Sequence, residues 1–349
     1  MANIFARSPY IISINETGQT TTGIEIYLWN GTGSAPATPQ YALTKAIPAS
    51  NNTLTSYDIS PYIREYLSFA TRQDPTAITT LSTNQWCNVK IKKFYFSDAL
   101  YLLGEVNHYG LDGYTYYESG SNFDNGIHLL EQKTYYYNAG TYAGQLNLFI
   151  SYNSFQGGDT IVYTKPDLSA STTLTANTQQ WGCVPRVHPS YTATGNIVKI
   201  YNYFNVLQAT YTFLPICESK YTPVVIDFIN QYGAWQREFF FKASKNTLAI
   251  ESNDYNVMQS SITSYDIKQG QKKSFNTNAR ETISVNSGYV NEDFSSNIKQ
   301  LLMSERILVD NKPAICKTKS LELMKNINNH MINYSLEFEL AYNTINAVI

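Results

Sequence analysis

The residues of this chain that could carry chemistry are four histidines, four cysteines and a scatter of carboxylates. His108, His128, His188 and His330 stand far apart. None sits in an H-x-x-H or H-E-x-x-H spacing, so no two of them share a helical face for a metal ion. Cys87, Cys183, Cys217 and Cys316 show no C-x-x-C spacing, which removes zinc-ribbon and thioredoxin-type chemistry. Isolated buried thiols are expected, with a Cys87–Cys183 or Cys183–Cys217 bridge left open by the spacing. The chain has no G-x-S-x-G elbow and no phosphate-cradling G-x-x-x-x-G-K-[ST] loop, and Gly31-Thr-Gly33 lacks a third glycine. A glycosidase pair would need two carboxyls about 5–10 Å apart across a cleft. Asp112 reads instead as part of a hairpin turn, and Glu118 and Asp124 flank a Gly/Ser/Asn loop. Glu292 and Asp293 precede an apolar helical pattern, where negative charge is favourable. No D-x-D-x-D-G run exists for calcium. The sequence therefore assigns no catalytic, cofactor-binding or metal-binding residue, and the chain reads as a protein that is not an enzyme.

Composition narrows the classes further. The chain has 349 residues, 27 acidic and 25 basic, for a net charge of -2. Charged residues are 15% of the chain, against about 25% in ordinary soluble domains. Weak charge fits a chain covered by partners, and it fits equally a surface solvated by Asn, Gln, Ser and Thr. Lys90, Lys92 and Lys93 cluster, as do Lys317 and Lys319, but alternation along strands accounts for both, so no direct contact with nucleic acid is expected. The start, Met-Ala-Asn-Ile-Phe-Ala-Arg, lacks a signal-peptide pattern, and no run of 18 apolar residues predicts a membrane helix. Synthesis in a cytoplasm and no membrane insertion are the expectations. Tyrosine is abundant, with 29 copies, a residue that packs its ring while its hydroxyl stays wet.

The elements that would position these residues are mostly strands. The expected fold class is mainly β, with two β-sandwich-like units followed by a small α+β module. The units are residues 1–125, residues 126–250 and an assembly module at 251–349. In the first, Tyr10–Ile14, Gly23–Trp29, Gln40–Lys45, Asn88–Phe96, Leu100–Val106 and Tyr114–Glu118 read as strands, with His108 in a turn. Ser60-Pro61 starts a short helix, with Ser60 as cap and Tyr62, Ile63, Tyr66 and Leu67 on one face, ending before Asp74-Pro75. In the second, strands are expected at His128–Leu130, Lys133–Tyr137, Gln145–Tyr152, Asp159–Tyr163, Ile197–Tyr201 and Gln208–Phe213. Residues 167–180 read as a loop or plain edge. The dense run from Lys220 to Lys242, with a turn at Gln231-Tyr232-Gly233, closes this unit. In the third, Thr282–Val285 is a strand. A helix carries Phe294, Ile298, Leu301 and Leu302, apolar at i, i+4, i+7 and i+8. A turn at Asp310–Pro313 and a last strand alternating at Tyr334, Leu336, Phe338 and Leu340 follow.

Three segments carry a family resemblance. They are Phe5-Ala-Arg-Ser-Pro-Tyr-Ile-Ile12 with Asp58-Ile-Ser-Pro-Tyr-Ile-Arg-Glu-Tyr66, Cys217-Glu-Ser-Lys-Tyr-Thr-Pro223 with Phe228-Ile-Asn-Gln-Tyr-Gly-Ala-Trp235, and Leu302–Ile307 with Ile332–Phe338. The chain resembles virion structural proteins of tailed bacteriophages, especially of Bacteroidetes and marine hosts. The resemblance implies a tail, baseplate or ring component, located in the virion, that assembles with rotational symmetry as a homo-oligomer and contacts other tail proteins. Candidate interface residues are Tyr221, Phe228, Tyr232, Trp235 and Phe239, with Tyr135, Tyr136 and Tyr137. Each is equally suited to a sandwich core. Consecutive Phe239, Phe240 and Phe241 cannot share one face of a strand, so cover on both faces is expected. The alternative function is a receptor-binding module for host surface glycan, with Trp29, Tyr114, Tyr116 and Tyr117 as a stacking platform.

Overall fold

A computed structural model describes residues 3–31, 33–48, 54–67, 86–124, 130–138, 160–175, 188–216, 222–233, 235–258, 261, 263–320, 322 and 331–346. The protein is mainly β, with β-sandwich-like layering. By contacts it divides into two compact units. One comprises Met1–Cys217, Phe228–Arg237 and Asp293–Ser304, the other Glu218–Asp227, Glu238–Glu292 and Glu305–Ile349.

The first unit begins with β1 (Asn3–Phe5), β2 (Ile11–Asn15), β3 (Thr21–Trp29), β4 (Tyr41–Ala46), β5 (Leu54–Asp58), α1 (Ser60–Leu67), β6 (Trp86–Phe96), β7 (Leu100–Leu111) and β8 (Phe123–Asp124). A six-stranded sheet runs β4-β3-β6-β7-β1-β8, and β2 and β5 pair as a separate two-stranded sheet. Ile24, Ile26 and Leu28 of β3, with Cys87, Val89 and Ile91 of β6, meet Ile12, Ile14, Tyr57, Ile63 and Leu67 in one buried cluster. The small sheet and α1 thus form a second layer over the large one. Alternation of side chains puts these apolar residues on one face. Helix α1 buries Ile63 and Leu67, while Tyr62 and Tyr66 pack at the edge of the same core. Ser60 does not act as the expected cap. Asp58 Oδ1 accepts the Ser60 amide at 3.0 Å, and Ser60 Oγ accepts the Tyr10 amide at 2.7 Å, tying β2 to the helix start.

Two further expectations in this region are corrected. His108 lies inside β7, not in a turn, because pairing with β6 continues to Leu111 opposite Trp86. Tyr114–Glu118 is not a strand. The Tyr114 amide donates to Gln231 O at 2.8 Å, the Thr115 amide donates to Ser8 Oγ at 2.9 Å, and Tyr117–Ser119 forms a 3-10 turn.

A five-stranded sheet follows from β9 (Thr134–Tyr137), β10 (Thr160–Thr164), β11 (Ser171–Thr175), β12 (Asn196–Tyr201) and β13 (Leu207–Pro215), in the order β11-β10-β12-β13-β9. Strands β9, β10 and β12, and β13 from Gln208 to Leu214, alternate between buried and half-exposed positions. The inner face is aromatic: Tyr135, Tyr137, Tyr163, Tyr211 and Phe213 are buried, and Tyr135 stacks on Phe213 with ring centroids 5.3 Å apart. The exposed edge expected within 167–180 is β11, while the strand expected at Gln145–Tyr152 lies outside the described residues.

The remaining strands are β14 (Val224–Ile229), β15 (Trp235–Phe240), β16 (Lys245–Asn256), β17 (Lys272–Asn291), β18 (Ile307–Val309), β19 (Lys312–Cys316) and β20 (Met331–Leu340), with α2 (Phe294–Leu302). One seven-stranded sheet runs β15-β14-β18-β19-β20-β17-β16. The run from Lys220 to Lys242 therefore does not close the second β unit. Its strands hydrogen-bond into the last sheet, and the boundary drawn at 250 would cut β16 in two. β18 and β19 join through Asp310 and Asn311, both at positive φ (48° and 63°), as a two-residue turn between twisted strands requires. Tyr334, Leu336, Phe338 and Leu340 of β20 are all buried.

Helix α2 has the expected apolar face, with Phe294, Ile298 and Leu301 buried. It does not belong to a C-terminal module, because its contacts place it in the first unit. Asp293 Oδ2 accepts the amides of Lys133 (2.7 Å) and Thr134 (3.2 Å), and Gln300 Oε1 accepts the amide of Gln231 at 3.1 Å. The Asp293 carboxylate thus anchors the helix to β9 instead of capping its own first turn.

Candidate functional site

The residues that could do chemistry are dispersed. Among the described residues no group of three or more His, Cys, Asp or Glu comes together. His108 lies edge-on to Tyr10, 5.5 Å between ring centroids. Burial, aided by the charge of Lys93, pushes its pKa down to about 4. His188 caps a 3-10 turn, its Nδ1 accepting the Ser190 amide at 3.2 Å. Cys87 is a free, fully buried thiol whose pKa burial pushes up to about 12. Cys316 is also free and buried. Cys183, Cys217, His128 and His330 lie outside the described residues. Asp112 is buried beside the Asn230–Gly233 turn, with its backbone against Gly233, and is not in a hairpin of its own. Glu118 is exposed in the 3-10 turn.

The tyrosines of the expected glycan platform do not form an open face. Tyr114 is buried, and burial raises its pKa. The Arg7 guanidinium lies 4.9 Å from the Tyr114 ring centroid, Tyr114 meets Tyr116 edge-on at 5.5 Å, and Lys299 Nζ sits 4.1 Å above Tyr116. Arg7 also donates to Met303 O at 2.9 Å. This alternation of cations and rings joins the N-terminal segment, the residues after β7 and α2 within one unit. It sets a cation over each of these two rings. Tyr117 is fully exposed, whereas Trp29, on β3, donates its indole N–H to Gly33 O at 2.8 Å.

The expected interface residues are core residues. Phe228, Tyr232, Trp235, Phe239, Tyr135 and Tyr137 are buried, and Tyr136 is half-buried. Tyr221 lies outside the described residues. Phe239 and Phe241 stack on one face of β15, with centroids 6.0 Å apart, while Phe240 is buried on the opposite face. Both faces of this strand are therefore covered, and every residue of β14 and β15 is buried. Burial on both faces removes the alternation that marks a half-buried strand, and Asp227, Gln236, Arg237 and Glu238 are buried there together with the apolar residues.

Among the described residues, the ends of three hairpins carry clusters of exposed apolar side chains. At the β6–β7 end, Phe96 and the four consecutive residues Leu100, Tyr101, Leu102 and Leu103 are exposed. A register shift between Lys93 and Phe94, opposite Gly104 and Leu102, breaks the alternation that would otherwise turn every second residue inward. Tyr101 stacks on Tyr95 at 4.9 Å and donates to Asp98 Oδ1 at 2.7 Å, which fixes the tip. At the β12–β13 end, Asn202 Oδ1 accepts the amides of Phe204 (3.0 Å) and Val206 (2.9 Å), a tight Asx turn. It presents Tyr203, Phe204, Val206 and Leu207 to solvent, with Phe204 79% exposed. At the β16–β17 end, Met258 and Ile267 are 94% and 88% exposed, with Tyr255, Tyr265 and Phe275 beside them. Asp254 and Ser274 hold this ribbon together by a 2.6 Å hydrogen bond, and Tyr255 meets Phe275 edge-on at 5.5 Å.

Sequence reasoning missed these ends. The signal was present in Leu100-Tyr-Leu-Leu103 and Tyr203-Phe-Asn-Val-Leu207, each an apolar run beside turn residues. Such a run reads as a strand core until the sheet is known to stop short of it. No helix among the described residues is long and apolar enough to cross a membrane. Comparison with protein-family models, curated proteins and solved structures gave no match for the chain.

Proposed function

We propose that this protein is a structural assembly subunit that works by binding other proteins through its exposed hairpin ends. On the resemblance carried by its sequence, we place it in the virion of a tailed phage, as a tail, baseplate or ring component. Its partners in this reading are further copies of itself and neighbouring tail proteins. The observation that supports the reading is the apolar character of three turn-fixed hairpin ends. Single exposed apolar residues are ordinary, but contiguous ones mark surfaces that other molecules cover. Covering one such leucine or phenylalanine gains about 1.5–3 kcal/mol. The tips are locally braced by Asn202, Asp98 and Asp254, so little ordering entropy opposes their burial.

The test combines mass photometry, electron microscopy and sedimentation on the purified chain and on Leu102→Asp and Phe204→Asp. Concentration-dependent closed oligomers, weakened by either substitution with unchanged melting, are expected. Stoichiometric presence of the chain in purified phage tails is the matching observation for the virion assignment. A chain that stays monomeric at about 100 μM, binds lipid vesicles through the same tips and is missing from tail particles would refute both parts.

A further inference from the structure

Strand β16 is the terminal strand of the seven-stranded sheet, with β17 as its one neighbour among the described residues. All its residues, Lys245–Asn256, are exposed. Natural sheets keep such edges short, or interrupt them with proline, lysine or a bulge, because a long open edge recruits another strand. β16 contains no proline and has one lysine, at its start. Its one interruption is the register shift between Glu251 and Asn253. Lys245–Glu251 is left as an unbroken, regularly paired segment, from Lys245 opposite Ser284 to Glu251 opposite Asn278.

That segment reads Lys-Asn-Thr-Leu-Ala-Ile-Glu. Opposite charges mark its two ends and a leucine marks its centre, so it complements itself when turned end for end. We propose that β16 pairs antiparallel with β16 of a second copy of this chain, about a two-fold axis at Leu248. In this register Lys245 of one copy faces Glu251 of the other, twice. Asn246 faces Ile250, Thr247 faces Ala249, and Leu248 faces Leu248. Every pair joins residues of the same pleat phase, as an antiparallel ladder requires. Ile250 falls diagonal to the other copy's Leu248, within reach of a side-chain contact. Leu248 and Ile250, 54% and 66% exposed in the single chain, then form one apolar strip of four residues on one face of the joined sheet, while the two Lys245–Glu251 ion pairs lie on the opposite face. Parallel in-register pairing would instead set Lys245 against Lys245 and Glu251 against Glu251. The charge pattern therefore selects the antiparallel two-fold, a closed arrangement that uses the same patch on both copies. This inference rests on the assembly reading above and names one of its partners.

Charge reversal tests it. Sedimentation velocity of the full chain is expected to show a dimer. Lys245→Glu and Glu251→Lys each turn two attractive pairs into like-charged ones, and each is expected to weaken the dimer by about 10-fold or more. The double variant, Lys245→Glu with Glu251→Lys, is expected to return to within about 3-fold of the parent. Leu248→Cys is expected to cross-link to itself with a short bismaleimide, with Asn253→Cys and the parent chain as unreactive controls. A dimer indifferent to both reversals, or one that Leu248→Cys does not cross-link, overturns the β16 proposal. If Leu102→Asp or Phe204→Asp still dissolves such assemblies, the assembly reading survives that failure. A monomer at about 100 μM that none of the variants alters overturns the β16 proposal as well.

Discussion

Gly113 and Gly233 let two backbone segments of the first unit touch, and replacing either by alanine measures that contact. A Cβ at Gly113 would lie 2.4 Å from Gln231 O and 2.9 Å from the carbonyl carbon of Tyr232. A Cβ at Gly233 would lie 2.6 Å from the Asp112 amide nitrogen, and Gly233 also holds φ +83°. The nearest obstacle at each is a main-chain atom, which cannot rotate away as a side-chain end can, and Phe5 Cδ1 also lies 2.7 Å from the Gly113 position. Overpacking of this kind costs about 1–3 kcal/mol. A left-handed φ adds about 1 kcal/mol for a residue with a Cβ. Gly31 separates the two effects, since it has φ +78° and nothing within 4 Å. Gly31→Ala is therefore expected to cost about 1 kcal/mol, Gly113→Ala about 2–3 and Gly233→Ala about 3–4. In a unit of this size each kcal/mol lowers the melting temperature by about 2–4 °C. Calorimetry should rank the losses as Gly31, then Gly113, then Gly233, with the last near 10 °C. If Gly233→Ala melts no lower than Gly31→Ala, the segments do not touch as described and the reasoning fails.

Further outcomes follow from single groups. The His108 pKa is depressed in the fold, so the unfolded chain binds the proton more readily. The stability tied to its neutral form is complete above pH about 6.5 and is lost as pH falls toward about 4. Because the ring is only partly buried, the loss is on the order of 1 kcal/mol, and denaturant melts of His108→Gln against the parent across this range should isolate it. Cys87, buried with a pKa near 12, should resist thiol reagents in the native protein and label only on unfolding, as peptide mapping would read. Asp293→Ala removes the acceptor shared by the Lys133 and Thr134 amides, and urea denaturation should show a loss of about 1–3 kcal/mol, against little change for Asp293→Asn if its amide oxygen keeps those bonds.

Much of the local structure was legible in the residues. Strands β10, β12, β13 and β20 announce themselves by alternation, because one face of each meets a core and the other does not. Helix α2 is written in Phe294, Ile298 and Leu301, which fall on one side of a turn of 3.6 residues.

What the sequence could not express was partnership. Alternation records that a face is covered but not by which strand. The run at Val224–Phe240 is therefore recognisable as dense β-structure, while its place beside β18 in the last sheet is a matter of long-range pairing. For the same reason α2 looks like part of a C-terminal module until the amides of Lys133, Thr134 and Gln231 are seen to bind it. The aromatic residues that most suggest an interface are core, whereas Leu100–Leu103, which reads as strand, is exposed, as are Tyr203, Phe204, Val206 and Leu207 and, at a third end, Tyr255, Met258, Tyr265 and Ile267. Apolar residues have the same identity inside and outside a core. Only the tertiary structure decides where each sheet ends, and so which of them remain for a partner to cover.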